Sequence, residues 1–178
     1  MTKEEIQPLL TSAYGALIAR LRQMPSVQAH MAAPGKWSPA QQAEHLVKSV
    51  RPVTLAFRIP KFLLSMIFGK ANRPSRSYDE LVARYRAKLE AGGKASKPFV
   101  PGIPRNLEGV YVKLGRTVDG LNRHIGRFSE TDLDTLILPH PLLGKLTLRE
   151  MLYFTAYHAK HHQQPIETTH PSEPGNET

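Results

Sequence analysis

The chain contains no cysteine. That excludes a disulfide framework, a cysteine-ligated zinc or iron–sulfur site, and a thiol nucleophile belonging to the protein itself. A long hydrophobic run is also missing: the best stretch, Phe62 to Phe68, is seven residues lying between Lys61 and Lys70, against the ~20 needed to cross a bilayer. The opening residues, Met1-Thr2-Lys3-Glu4-Glu5, show no basic flank leading into an apolar segment. No signal peptide is therefore visible, and the expected location is cytoplasmic. Clear apolar/polar alternation, the mark of a half-buried strand, is absent as well. What remains is 178 residues with 40 % apolar side chains, enough for one domain around one core.

Charge is present and unevenly placed. Lys and Arg number 24 against 15 Asp and Glu, for a net charge of +9. Segment 51–105 holds twelve of the cations and only three anions (Asp79, Glu80 and Glu90), and so carries the whole excess. A field confined to one segment can attract an acidic small molecule, an anionic lipid or a nucleic acid, or it can be a solvated surface. A nucleic-acid partner asks for aromatics interleaved with the cations. Phe57, Phe62, Phe68, Tyr78 and Tyr85 are spaced as burial would also space them, so nucleic acid ranks last.

Helix start signals are frequent. A capping box pairs Ser or Thr with Glu or Gln three residues later, each side chain satisfying an orphan amide of the first turn. Four occur: Thr2/Glu5, Ser38/Gln41, Ser77/Glu80 and Thr147/Glu150. They predict a first helix from Lys3 to about Met24 with Ile6, Leu9, Leu10, Tyr14, Leu17, Ile18 and Leu21 inward. A second runs from Pro39 to about Val53, with Pro39 suited to the first helical position. A third spans Leu107 to about Phe128 on Val110, Leu114, Val118, Leu121 and Ile125, and a fourth follows Thr147 to about Gln164. Four amphipathic helices without strands predict an all-α four-helix bundle occupying residues 1–167. Between the second and third helices lies a long, partly helical excursion, 54–106. A connection of this length is a candidate lid. Residues 168–178 lack apolar periodicity and are expected to form a flexible tail.

Eight histidines are present, three of them in Tyr157-His158-Ala159-Lys160-His161-His162. His158 and His162 stand i and i+4, one above the other on a helix face. That face continues the inward stripe of Leu148, Met151, Leu152 and Thr155. Two imidazoles at this spacing can hold one divalent metal, or can be hydrogen-bonded core residues. His45 sits two turns into the second helix beside Leu46, Val50 and Val53, the place for a third donor. Trp37, just before the Ser38 cap, occupies the position of a hydrophobic staple. Tyr111 and Tyr153 fall at core or rim positions.

The stretch Gly35-Lys36-Trp37-Ser38-Pro39-Ala40-Gln41-Gln42-Ala43-Glu44-His45-Leu46 resembles the second-helix motif of the DinB-like superfamily (DinB/YfiT-like metalloenzymes). A second match is His140-Pro141-Leu142-Leu143-Gly144-Lys145-Leu146-Thr147-Leu148-Arg149-Glu150-Met151-Leu152, followed by His158 and His162. The resemblance covers about residues 3–166. It implies an antiparallel bundle whose second and fourth helices give His45, His158 and His162 to one divalent metal; all-imidazole coordination suits zinc, nickel or iron. It further implies thiol-dependent S-transfer or isomerisation with a low-molecular-weight thiol as cosubstrate, the nucleophile then coming from outside this cysteine-free chain. Metal-dependent hydrolysis and non-catalytic binding of metal or small molecule are the alternatives. Hydrolysis asks for a general base, and Glu44 is the one inward carboxylate evident on the second or fourth helix.

Under the leading reading, His161 or Tyr157, flanking the metal face, would carry protons. Arg58, Arg73 and Arg76 would recognise an anionic thiol from the excursion, and apolar bundle faces would support a homodimer. One departure from the family pattern stands out. Members often carry Gln three residues after the last His, where this chain has Pro165. A proline there lacks the amide that would bond to the His161 carbonyl and disfavours a regular final turn. Gln163 or Gln164 would then have to supply that contact.

Overall fold

A computed structural model describes residues 1–169. Its frame is four long helices, α1 (Lys3–Arg22), α3 (Pro39–Ala56), α6 (Leu107–Ile125) and α8 (Leu148–Thr169). Around them lie α2 (Ser26–His30), α4 (Lys61–Phe68), α5 (Tyr78–Glu90), α7 (Glu130–Thr135), a 3-10 turn at Lys97–Phe99, and a hairpin of β1 (Ile137–His140) and β2 (Gly144–Thr147). The expected boxes form. Ser38 and Ser77 accept from the amides of Gln41 and Glu80, whose side chains reach back to the cap amides. Thr147 and Glu150 exchange the same two bonds, and the Thr2 amide donates to Glu5. A further box, Ser129 with Asp132, opens α7; Asp in the third position hides it from a search for Glu or Gln.

The helices form a square in which α1 packs on α6 and α8, and α3 packs on the same two. Helices α1 and α3 therefore face each other across a diagonal, as do α6 and α8. Ile6, Leu10, Leu17, Leu46, Leu114 and Leu152 are fully buried where these faces meet, each contributing about 1.5–3 kcal/mol of transfer free energy. The Tyr14 hydroxyl donates to the Thr155 carbonyl at 3.0 Å, tying α1 to α8. This arrangement brings α3 and α8, the histidine-bearing helices, side by side.

Two features depart from the sequence expectations. The first is the hairpin, with Leu138 opposite Leu146 and Ile137 opposite Thr147. Its turn is closed by Gly144, whose φ of +77° suits glycine, and by His140, whose Nδ1 accepts the Leu142 and Leu143 amides at 3.2 and 3.1 Å. The second is α8, which runs through Pro165 to Thr169. Only one backbone bond is forfeited there, and Ile166 one residue on is 1 % exposed, so packing outweighs the break. Thr168 and Thr169 are thus helical, and the rest of the expected tail, including His170, lies outside the described residues. The excursion is partly helical, as expected: α5 packs on α8, α4 on β1, and the 3-10 turn on α3, so it wraps the histidine side of the bundle.

Candidate metal centre

His45 projects from α3, and His158 and His162 from α8, into one buried cluster with 5, 4 and 8 % exposure. The Nε2 atom of His158 lies 3.2 Å from that of His45 and 3.1 Å from that of His162. One potential ligand atom from each ring falls within 4.8 Å of the other two. Donors bound at about 2.0–2.1 Å, with angles between tetrahedral and octahedral, stand about 2.9–3.4 Å apart. The two Nε2 separations fall inside that range.

The outer ring nitrogens fix which lone pairs point inward. His45 Nδ1–H donates to the Phe99 carbonyl at 2.7 Å. His162 Nδ1–H donates to Gln42 Oε1 at 3.1 Å, while Gln42 Nε2 donates to the Trp37 carbonyl. Both rings therefore turn an unprotonated Nε2 to the centre. His158 Nδ1 is buried without a partner, and a neutral His158 carries one proton, so at most one Nε2–H faces the two lone pairs of His45 and His162. Burial holds the pKa of all three imidazoles below the ordinary value; neighbouring imidazoles lower those of His158 and His162 further, and the Phe99 carbonyl partly offsets the effect at His45. Three neutral, convergent bases short of protons are a donor set fitted to a divalent cation.

The partners of these rings were not legible in sequence. Gln42 belongs to the Trp37–His45 motif, yet it supplies the contact expected of Gln163 or Gln164. Gln163 pairs instead with Glu167, and the Gln164 carbonyl accepts from Thr168. Trp37 is more than a staple: its ring lies 4.9 Å from that of His45 and stacks at 6.4 Å on that of His162. Phe154 stacks on His158 at 4.8 Å. The Pro-flanked Phe99, in the excursion, orients His45 through its backbone.

The cluster opens into a cavity of about 310 Å³ with walls from Val53, Phe68, Leu89, Leu142, Met151 and Phe154, among others. His161 stands in this wall, its pKa lowered by burial and by Arg86. Tyr157 does not; its hydroxyl accepts from Arg86 Nε at 2.8 Å. Trp37, His161 and His162 also border a second cavity, of about 450 Å³, on which Lys36 stands. No carboxylate lines either cavity among the described residues, and Glu44 is not in either wall.

Arg58, Arg73 and Arg76 are not brought to the imidazoles. Arg73 makes two bonds to the Glu150 carboxylate, at 2.7 and 2.8 Å, and Arg76 reaches the same group through its amide and its guanidinium. Glu150 is fully buried at the start of α8 and draws these cations to the hairpin end. Arg58 is exposed beyond the end of α3. The cation that does line the apolar cavity is Lys94.

Solved structures share this architecture. The four-helix bundle protein TT2238 superposes with a TM-score of 0.61 at 20 % identity, over 94 % of this chain and 99 % of its own. YfiT from Bacillus subtilis, described as a probable metal-dependent hydrolase with an unusual four-helix bundle topology, gives 0.63 at 18 % identity over 96 % and 89 %. No curated protein matches by sequence. The sequence model of the DinB superfamily matches residues 9–166, a span that holds all three imidazoles and both helices that present them, and the chain belongs to that superfamily.

Proposed function

We propose that the protein is a divalent-metal-dependent enzyme that joins a small thiol to an apolar electrophile. The observation that carries this reading is a three-imidazole centre opening into an apolar cavity without a carboxylate. A divalent ion held by His45, His158 and His162 would lower the pKa of a thiol or a water at that point. Hydrolysis ordinarily adds a positioned base to take a proton from water, whereas a thiol needs less help to ionise. The side chains divide the remaining work. His161, kept neutral by burial and Arg86, accepts the proton released at the centre. Val53, Leu89, Met151 and Phe154 exclude water and receive the apolar partner. The second cavity, with Lys36 at its edge and Trp37, His161 and His162 shared with the first, receives the thiol. Tyr157 is a positioning residue that holds Arg86 near His161.

YfiT's description favours hydrolysis as the second reading, with His161 as the base. Both can be tested on protein purified without a histidine tag. Elemental analysis is expected to find a stoichiometric divalent metal, lost on His158→Ala. Thiol consumption with an uncharged aromatic electrophile should exceed that with its carboxylated analogue and stop on chelation. Metal-dependent cleavage of an activated ester at an undiminished rate without thiol would establish the hydrolytic reading instead.

A further inference from the structure

Helix α4 has an unusual surface for so short an element. Leu64 is fully buried and anchors it, yet Phe62, Met66 and Ile67 are 70, 73 and 58 % exposed. Phe62 and Met66 lie one turn apart on the same face. Leu55, near the end of α3, adds another exposed apolar side chain. Soluble proteins rarely present such side chains in a group without a partner.

The cations around this helix outnumber Asp132, the carboxylate that reaches it. Arg58, Lys61 and Lys70 bracket it along the chain. Arg58 also approaches the end of α6, where it gathers with Arg123 and Arg127 about His124. Lys61 lies over the Phe128 ring at 5.6 Å and pairs with Asp132. Arg58, Lys70, Arg123 and Arg127 are exposed, and none has a carboxylate in ion-pair contact among the described residues. Neither Arg73 nor Arg76 belongs to this set, since both are committed to Glu150.

We propose that α4 and the cations around it form a docking surface for an anionic phospholipid bilayer. Exposed Phe, Met and Ile on a helix rimmed by Lys and Arg suit an element that lies in the interface plane, its apolar side chains among the acyl chains and its cations among the headgroups. A second copy of the chain fits less well. It would bring the same cations to the contact, and Asp132, the carboxylate that reaches α4, is already taken by Lys61. No described helix is long and apolar enough to cross a membrane, so the contact is peripheral. Phe68, the last residue of α4, lines the apolar cavity, and docking therefore places that wall beside the lipid, a source of apolar molecules.

Co-sedimentation of the full chain with vesicles tests this. Binding is expected to vesicles of phosphatidylcholine mixed with phosphatidylglycerol, and not to phosphatidylcholine alone. It should collapse at about 1 M salt, where screening shortens to about 3 Å. Phe62→Ser with Met66→Ser should weaken binding at least about ten-fold. Arg58→Gln, Arg123→Gln and Arg127→Gln should each weaken it about five-fold. All are surface changes, and thermal unfolding with zinc binding checks that each variant remains folded. Equal binding to neutral vesicles, or no loss in the Phe62/Met66 variant, would overturn the proposal. So would a concentration-dependent dimer abolished by that variant, or duplex DNA binding without vesicle binding.

Discussion

Acid should destabilise the metal-free protein through His140, and the size of the effect follows from its burial. His140 Nδ1 accepts the Leu142 and Leu143 amides that close the hairpin turn, so a proton on that nitrogen removes the acceptor. Burial pushes the His140 pKa down to about 4, against about 6.5 in an unfolded chain. Between those values the unfolded state binds more protons, so stability rises with pH. The contribution is complete above about pH 6.5 and is lost as pH falls towards 4. At about 1.36 kcal/mol per pH unit the full loss is about 3 kcal/mol, of which about 2 kcal/mol has gone by pH 5. His45, His158, His161 and His162 are shifted downward by burial as well and act in the same direction. Urea unfolding in chelator at about pH 7.5 and about pH 5 measures the total. His140→Asn separates the share of the hairpin, because an amide oxygen can accept from the same two donors without titrating. The variant should recover about 2 kcal/mol of the acid loss. An acid loss identical to that of the parent chain would refute the assignment.

Gln42→Leu should weaken zinc affinity about 10- to 100-fold by releasing the His162 tautomer, and Gln42→Glu should restore it; competition with a chelating dye reads both. Glu150→Ala leaves Arg73 and Arg76 without their shared carboxylate and should cost about 2–3 kcal/mol in urea unfolding, less than a wholly buried pair because both guanidinia are partly solvated. Zinc binding should persist below pH 6.5 further than free imidazole would allow, since burial keeps all three donors neutral; proton competition setting in above pH 6.5 would contradict this. Pro165→Ala should raise the unfolding midpoint, because α8 already has helical geometry there and regains one backbone bond.

The helical frame was legible because it is written locally. Each capping box lies within four residues, and the stripes of α1 and α6 recur at helical spacing, so Leu17 or Val118 could be assigned inward from their neighbours alone. The imidazole triad was also within reach, since His158 and His162 share a face by periodicity and His45 follows the motif. The residues that orient them were not. Gln42 sits 120 positions from His162, and Phe99 acts through a carbonyl that every residue possesses. The hairpin escaped because its four-residue strands are interrupted by Pro139 and a histidine-capped turn, which leaves no alternation to read. Glu150 looked like a capping residue and is one, but its other oxygen contacts, with Arg73 and Arg76, depend on the path of the excursion through space.

That path changes the meaning of the positive charge. The sequence places the whole excess in segment 51–105, and the fold then spends it in separate places. Arg73 and Arg76 hold the start of α8 through Glu150, Arg86 holds Tyr157, and Arg58 and Lys70 remain on the surface around α4. What the excursion turns towards the imidazoles is chiefly apolar: Phe68, Leu89 and the alanine and glycine of Gly93–Ala95, with Lys94 as the exception. A multiply charged anion entering that cavity would give up its hydration for one lysine and the centre itself, a desolvation that a single partner compensates poorly. An uncharged electrophile faces no such cost. The polarity of the wall therefore selects against an anionic partner on the side where the segment's charge pointed to one, while Lys36 borders the second cavity, which shares Trp37, His161 and His162 with the first.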